Sequence, residues 1–369
     1  MLQHTIKPLS LRPDQNDCSL VLDLARFVAA QAVCFGHAIS IFGVYPGIQP
    51  PNVPYMQNIA VLVFFVLSGF VIAHTLIANS ERVGYGISEY LIERFARIYS
   101  AYLPALIFIS LVDYSLFHLG IYEYYQHLSL KAFVGNLFML QNCPGPYKAV
   151  LNVPSLGSAG QLWVVPVLFH TYLFMGAWFF LRASRAYLVL MALIFFSSFV
   201  PLKYLYGDVQ PSVGTGLFSL WLMGFITYLL NRNEFLSNVP SPAIATVTLA
   251  FFFLYVAQVT PGSEYVPMQY VFFAGGFLGL TNITLHTRVT TRQFGLQKAV
   301  RRMADYSFSL YLLHYTILYA CKQLWSGDSM IGMWTAFLLS NAIAFLFARF
   351  TEMKYRDLAR WMKERLSSR

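Results

Sequence analysis

Residues 20–42 read LVLDLARFVAAQAVCFGHAISIF. The stretch is long enough to cross a bilayer, which takes roughly 20 apolar residues, yet it carries Asp23, Arg26 and His37. An ionisable residue inside an apolar span is costly and marks a functional site by default. Arg26 and His37 are eleven positions apart. At about 100° per residue they return to within ~20° of one helix face, with about 16 Å between them along the axis. Asp23 lies three residues before Arg26, in range to pair with it. Two readings stay open: a site along one helix face, or an arginine snorkelling toward the membrane surface, neutralised by Asp23, with His37 hydrogen-bonded inside a bundle.

The rest of the chain fits a membrane setting. Of 369 residues, 57% are hydrophobic, 17% aromatic and only 11% charged, against a charged share of about 25% in soluble domains. A disordered chain, a coiled coil and an ordinary soluble enzyme are excluded. The net charge is +9, but no soluble basic domain gathers it, so nucleic acid is not an expected partner. Cys18, Cys34, Cys143 and Cys321 show no CxxC or CxxH spacing, which argues against a disulfide framework and a metal site. Ala30-Gln31-Ala32 resembles a signal-peptide cleavage site, but Asp23 and Arg26 interrupt the apolar region before it, so the segment reads as a retained first span.

Apolar runs and their punctuation predict an all-α integral membrane bundle of about ten spans. They fall near 20–42, 58–78, 98–119, 161–181, 186–203, 214–231, 243–259, 267–285, 306–323 and 332–351. With both termini in the cytoplasm, the inner segments hold twenty Lys and Arg residues and the outer ones four, Lys131, Lys148, Lys203 and Lys322. That asymmetry sets the expected orientation. It divides the chain into a cytoplasmic segment 1–19, a membrane domain 20–351 and a basic cytoplasmic tail 352–369. The one long connection, 120–160, falls outside; it holds Tyr122, Tyr124, Tyr125, Tyr147 and a Gly/Pro-rich stretch. It reads as a functional loop or as an interfacial aromatic belt.

Other polar groups recur in the apolar runs. Phe64-Phe65-Val66-Leu67-Ser68-Gly69-Phe70 has a small-residue pair suited to close helix contact. Arg94 and Arg97 share a helix face, and arginine forks suit phosphate and carboxylate; positive-inside anchoring is the alternative. His170 follows Gln161-Leu162-Trp163 and Pro166, and His314 ends Tyr306-Ser307-Phe308-Ser309-Leu310-Tyr311-Leu312-Leu313-His314.

Taken in order, these motifs resemble the membrane acyltransferase-3 family, which O-acylates sugars and related acceptors at the bacterial envelope. The resemblance runs nearly end to end: LDLARFVAAQAVCFGH with Arg26 and His37, FFVLSGF at 64–70, RFAR at 94–97, QLWVVP at 161–166, YSFSLYLLH at 306–314 and Glu352 in FTEMKYR. The family often has a Glu two residues after the fourth-span proline; Leu168 stands there, and His170 would lie about 200° round the helix from it.

The resemblance implies a multi-pass enzyme of the bacterial inner membrane that O-acetylates a glycan or lipid-linked sugar. No cofactor is permanently bound; acyl-CoA, most simply acetyl-CoA, is the co-substrate. His37 is the expected base, since a free hydroxyl is a poor nucleophile. Arg26 and His314 complete the catalytic set, with His314 a second acid/base or a positioner of the thioester. Arg94 and Arg97 are the expected coenzyme A contacts. Asp23, Ser68, Trp163, His170 and Ser309 are further candidates; Ser68, Ser307 and Ser309 are the possible acyl carriers. A transporter or flippase of a lipid-linked sugar explains the spans equally, but no inverted repeat is detectable. A non-catalytic scaffold of an envelope-polymer assembly is suggested only by Leu168.

Overall fold

Gly43 ends the first helix in the left-handed conformation, φ 66°, with its N–H on the Ile39 carbonyl, as C-terminal glycines do. This helix, α1 (Cys18–Phe42), contains the whole quoted stretch from Leu20 on. The structure is a computed structural model that describes residues 8–12, 14–80, 82–121, 123–141, 153–181, 213–233, 236, 238–288 and 294–367.

Among them follow α2 (Met56–Asn79), α3 (Ile87–His118), α4 (Leu130–Leu137), α5 (Val164–Leu181), α6 (Leu217–Leu230) and α7 (Ser241–Gln258). Then come α8 (Tyr270–His286), α9 (Phe294–Ala304), α10 (Ser307–Leu324), α11 (Ser329–Phe350) and α12 (Tyr355–Ser367). No β-strand occurs among the described residues.

Six helices among the described residues are long and apolar enough to cross a membrane: α1, α2, α3, α5 with its preceding turn, α7, and α11 running on into α12. The expected spans at 214–231, 267–285 and 306–323 fold as α6, α8 and α10, which are shorter or more polar. The expected span at 186–203 lies outside the described residues. Exposed Leu, Val and Phe on α3, α7 and α11, such as Leu111, Phe253 and Leu338, give the bundle the apolar exterior that lipid requires.

α1 packs against α2, α9, α10 and α11, and α3 packs against α5, α10 and α12. The closest approach is between α2 and α6. A Cβ on Gly69 would fall on the Trp221 carbonyl oxygen, and one on Gly224 on that of Val66. The small-residue contact expected at Ser68-Gly69 is therefore made with α6.

The 120–160 connection is only partly a surface loop. Its tail, with the turn into α5, runs buried among the helices from Val153 to Trp163, Pro154 and Gly160 apart. Buried backbone must find partners, and irregular backbone at membrane depth is tolerated only inside protein. Here side chains supply them. Asn136 Nδ2 donates to Pro154 O at 2.8 Å and its Oδ1 accepts from Leu156 N at 3.2 Å. Asp113 Oδ2 accepts Ser158 N at 2.7 Å, and Ser158 Oγ donates to Thr316 Oγ1 at 2.8 Å. Gln161 Nε2 donates to Leu312 O at 2.8 Å, while Tyr311 Oη donates to Gln161 O at 2.7 Å. Gln161 of the QLW motif is thus a clamp between this segment and α10.

The expected basic tail is α12. It lies on the start of α3 through Ile92, Ala96 and Ala359, held by Lys363 Nζ and Glu93 Oε1 at 2.7 Å.

Candidate active site

α1, α2, α3, α5 and α10 surround a cavity of about 360 Å³. Its walls are mostly apolar, but Asp23, Arg26, Ser68, Arg94, Arg97 and Tyr172 face it. The two sequence-distant arginine motifs therefore meet in one space. Arg26 is ion-paired to Asp23, as their spacing predicts. Arg97 Nη2 lies 3.0 Å from Glu352 Oε1 and its guanidinium sits 4.9 Å from the Tyr355 ring centroid. Glu352 is buried, and its other oxygen accepts both Ser309 N and Ser309 Oγ at 2.9 Å. One carboxylate thereby ties RFAR on α3 to YSFSLYLLH on α10.

Arg94 differs from its neighbours. It stacks 5.8 Å from the Tyr90 ring centroid and makes no ion pair among the described residues; its buried Nε, like that of Arg26, has no hydrogen-bond partner among them. Two of the cavity's three arginines carry their own carboxylate, so among the described residues the cavity arginine without an ion pair is Arg94. Leu168 also lines the cavity, so an apolar wall stands where the resemblance leads one to expect a carboxylate.

Ser68 is the one candidate carrier serine on the cavity wall. Its Oγ accepts Trp221 Nε1–H at 3.0 Å and shares a hydrogen bond with Tyr172 Oη at 2.8 Å. Ser309 faces Glu352 instead. Neither has a histidine to activate it. Trp163 is buried in the turn before α5, edge-on to Tyr265. His170 stands outside the cavity beside Phe169.

Phe64 and Tyr311 pack edge-to-face at 6.0 Å across the cavity's far wall. Tyr311 in turn lies 5.9 Å from the His314 ring. His314 is fully buried, and its Nε2 is 3.0 Å from His37 Nδ1. The spacing that put Arg26 and His37 on one face of α1 therefore places Arg26 in the cavity and His37 against α10, one partition away.

The proton positions follow from partners. His314 Nδ1 faces the carbonyl oxygens of Leu310 at 3.0 Å and Tyr311 at 2.8 Å. Carbonyls only accept, so Nδ1 carries the hydrogen. In the neutral ring Nε2 is then an acceptor, and His37 Nδ1 must donate to it. In this tautomer the remaining lone pair lies on His37 Nε2, the form a general base needs. Sequence reasoning reached both histidines but not their contact, and it missed Tyr315, whose ring is edge-on to His37 at 5.2 Å. The signal was the Tyr directly following the YSFSLYLLH run.

The sequence model of the acyltransferase-3 family, described as an acyltransferase domain, matches residues 20–350. Among curated proteins, the chain is 25% identical to an "O-acetyl transferase" of Shigella phage Sf6 over 337 residues, covering 88% of this chain and 91% of that relative. No solved structure matches it. The matched span runs from the start of α1 to the end of α11 and so takes in the arginine cavity and the histidine pair, and the chain is a membrane acyltransferase belonging to the acyltransferase-3 family.

Proposed function

We propose that this protein moves an acetyl group from cytoplasmic acetyl-CoA to a hydroxyl of an envelope or exported glycan. It would do so as a ten-span protein of the bacterial inner membrane with both termini in the cytoplasm. The observation that carries this reading is the pairing of a cationic cavity at one end of α1 with a histidine base at the other. Coenzyme A is polyanionic, and its phosphates suit arginine forks; among the described residues Arg94 is the cavity arginine that makes no ion pair. The axial distance from Arg26 to His37, about 16 Å, is of the order of an extended pantetheine arm. A donor held by the arginines would thus present its thioester at the Phe64–Tyr311 partition, which must part for the carbonyl to meet an acceptor at His37.

In the step itself, His37 Nε2 takes the proton of the acceptor hydroxyl as its oxygen attacks the thioester carbonyl. The C–O bond forms, the C–S bond breaks, and the coenzyme A thiolate leaves and recovers the proton from His37. His314 Nε2, accepting from His37 Nδ1, holds the tautomer and steadies the imidazolium that forms, the role an acid plays in hydrolase triads. Direct transfer accounts for these residues without an acyl-serine: Ser68 is bonded to Trp221 and Tyr172, and neither Ser307 nor Ser309, which is held by Glu352, lines the cavity.

The test is the envelope glycan of cells with and without the gene, compared by mass and ester content. A mass increment of one acetyl group, lost with the His37→Ala variant, is the expected result; unchanged glycan together with altered export of the polymer would reverse it. Orientation is checked in a cysteine-free background. Ser326→Cys should label from outside with an impermeant reagent, and Lys298→Cys should not; both positions are exposed.

A further inference from the structure

Beyond the histidine pair, α10 continues as a polar ladder that neither the arginine cavity nor the transfer step uses. Tyr315 stands edge-on to His37. One turn on, Tyr319 Oη donates to Glu123 Oε2 at 2.8 Å, and a further turn on Gln323 Nε2 reaches the same oxygen at 3.4 Å. Tyr124 packs edge-on to Tyr319 at 4.7 Å and lies close to Tyr315. Glu123 and Gln323 are exposed, Tyr124 and Tyr315 are half-buried, and Tyr319 is buried. The ladder thus runs from solvent down to the general base. Among the described residues Glu123 Oε1 makes no hydrogen bond, while Oε2 is held by Tyr319 and Gln323.

A pyranose offers an apolar C–H face and a rim of adjacent hydroxyls. Aromatic faces suit the first, and a carboxylate beside an amide suits the second. A few placed polar groups among aromatic walls are the usual build of a small-molecule site. We propose that Glu123, Tyr124 and Tyr315 form the acceptor subsite, which seats one sugar ring of the glycan so that a hydroxyl points at His37 Nε2. Tyr319 and Gln323 are positioning residues that fix the Glu123 carboxylate. This rests on the acetyl-transfer reading and adds to it the residues that choose the acceptor.

The test uses the full-length protein in nanodiscs with acetyl-CoA and a panel of p-nitrophenyl glycosides, among them rhamnoside, glucoside and galactoside, with acetylated product read by mass spectrometry. Glu123→Gln should raise the KM of the preferred glycoside about tenfold, the usual loss for a hydrogen bond to a charged group. Tyr319→Phe, which removes only the positioning hydroxyl, should raise it about threefold. Tyr124→Ala should raise it, and Tyr124→Phe should restore it, while KM for acetyl-CoA stays within about twofold throughout. Unchanged glycoside KM in Glu123→Gln and Tyr124→Ala would overturn the subsite, as would equal rises for both substrates. If the wild-type protein acetylates none of the glycosides and the glycan of expressing cells carries no added acetyl ester, the acetyl-transfer reading itself fails and takes the subsite with it; acetylated glycan without any glycoside product would overturn the single-ring subsite alone.

Discussion

His37 Nδ1 and His314 Nε2 lie 3.0 Å apart with the direction of the hydrogen bond fixed, because the other nitrogen of His314 already faces two backbone carbonyls. The pair is asymmetric. In this tautomer the remaining lone pair lies on His37 Nε2, and His314 is completely buried. A neutral partner of this kind orients the base without adding a charge that would have to be buried.

The first prediction concerns that asymmetry. His37→Ala should abolish transfer, by about 10²–10⁴-fold in kcat. His314→Leu should cost nearly as much, and the double variant no more than His37→Ala alone, since residues acting as a unit are not additive. His314→Gln, whose amide oxygen still accepts, should retain more activity than His314→Leu. Additive losses in kcat would show that the histidines act separately.

The second separates the arginines. Arg94→Lys keeps the charge but loses the fork, and should raise KM for acetyl-CoA about 10-fold or more with little change in thermal stability. Arg97→Lys should raise the same KM and also lower the melting temperature, because Arg97 is bonded to Glu352 and stacked on Tyr355. Leu168→Glu puts a carboxylate in the same cavity; pairing with Arg94, it should weaken donor binding. Donor kinetics identical to wild type in Arg94→Lys would reduce that residue to a topological anchor.

A third prediction follows from the buried carboxylate. Glu352→Gln leaves Arg97 without its counter-ion in a largely buried site, at a cost of about 3 kcal/mol. It also weakens the tie between α3 and α10 at Ser309. A lower melting temperature with parallel loss of donor affinity is expected in detergent unfolding and kinetic assays. A wild-type melting temperature would show that the pair contributes nothing to folding.

The fourth tests the closest helix contact. Gly224→Ala sets a methyl group on the Val66 backbone, and Gly69→Ala does the same to Trp221. Overpacking of this kind typically costs about 1–3 kcal/mol. Each variant should lower the melting temperature and, by displacing Ser68, alter the cavity; purified protein with unchanged thermal unfolding would show that α2 and α6 can part without penalty.

Much of this molecule could be read in one dimension. The helical character, the membrane setting and the shared face of Arg26 and His37 follow from composition and from the 3.6-residue period, which are properties of neighbours in sequence. Asp23 with Arg26 was legible for the same reason, being three residues apart on one helix. The motif order from the first arginine to Glu352 pointed to the family because each motif is a local string.

What sequence could not supply were the partners that meet only when helices pack. His37 and His314 are separated by 277 positions, and Arg97 and Glu352 by 255. No periodicity links positions so far apart. Their encounter is set by how α1, α3 and α10 pack. That packing also decides which arginine is ion-paired among the described residues: Arg94 and Arg97 share a helix face, and Glu352 from the far end of the chain reaches Arg97. The buried path of residues 153–159 was hidden likewise, because a Gly/Pro-rich connection between spans reads as an outer loop until Asn136 and Asp113 are seen to supply the hydrogen bonds that water would otherwise provide.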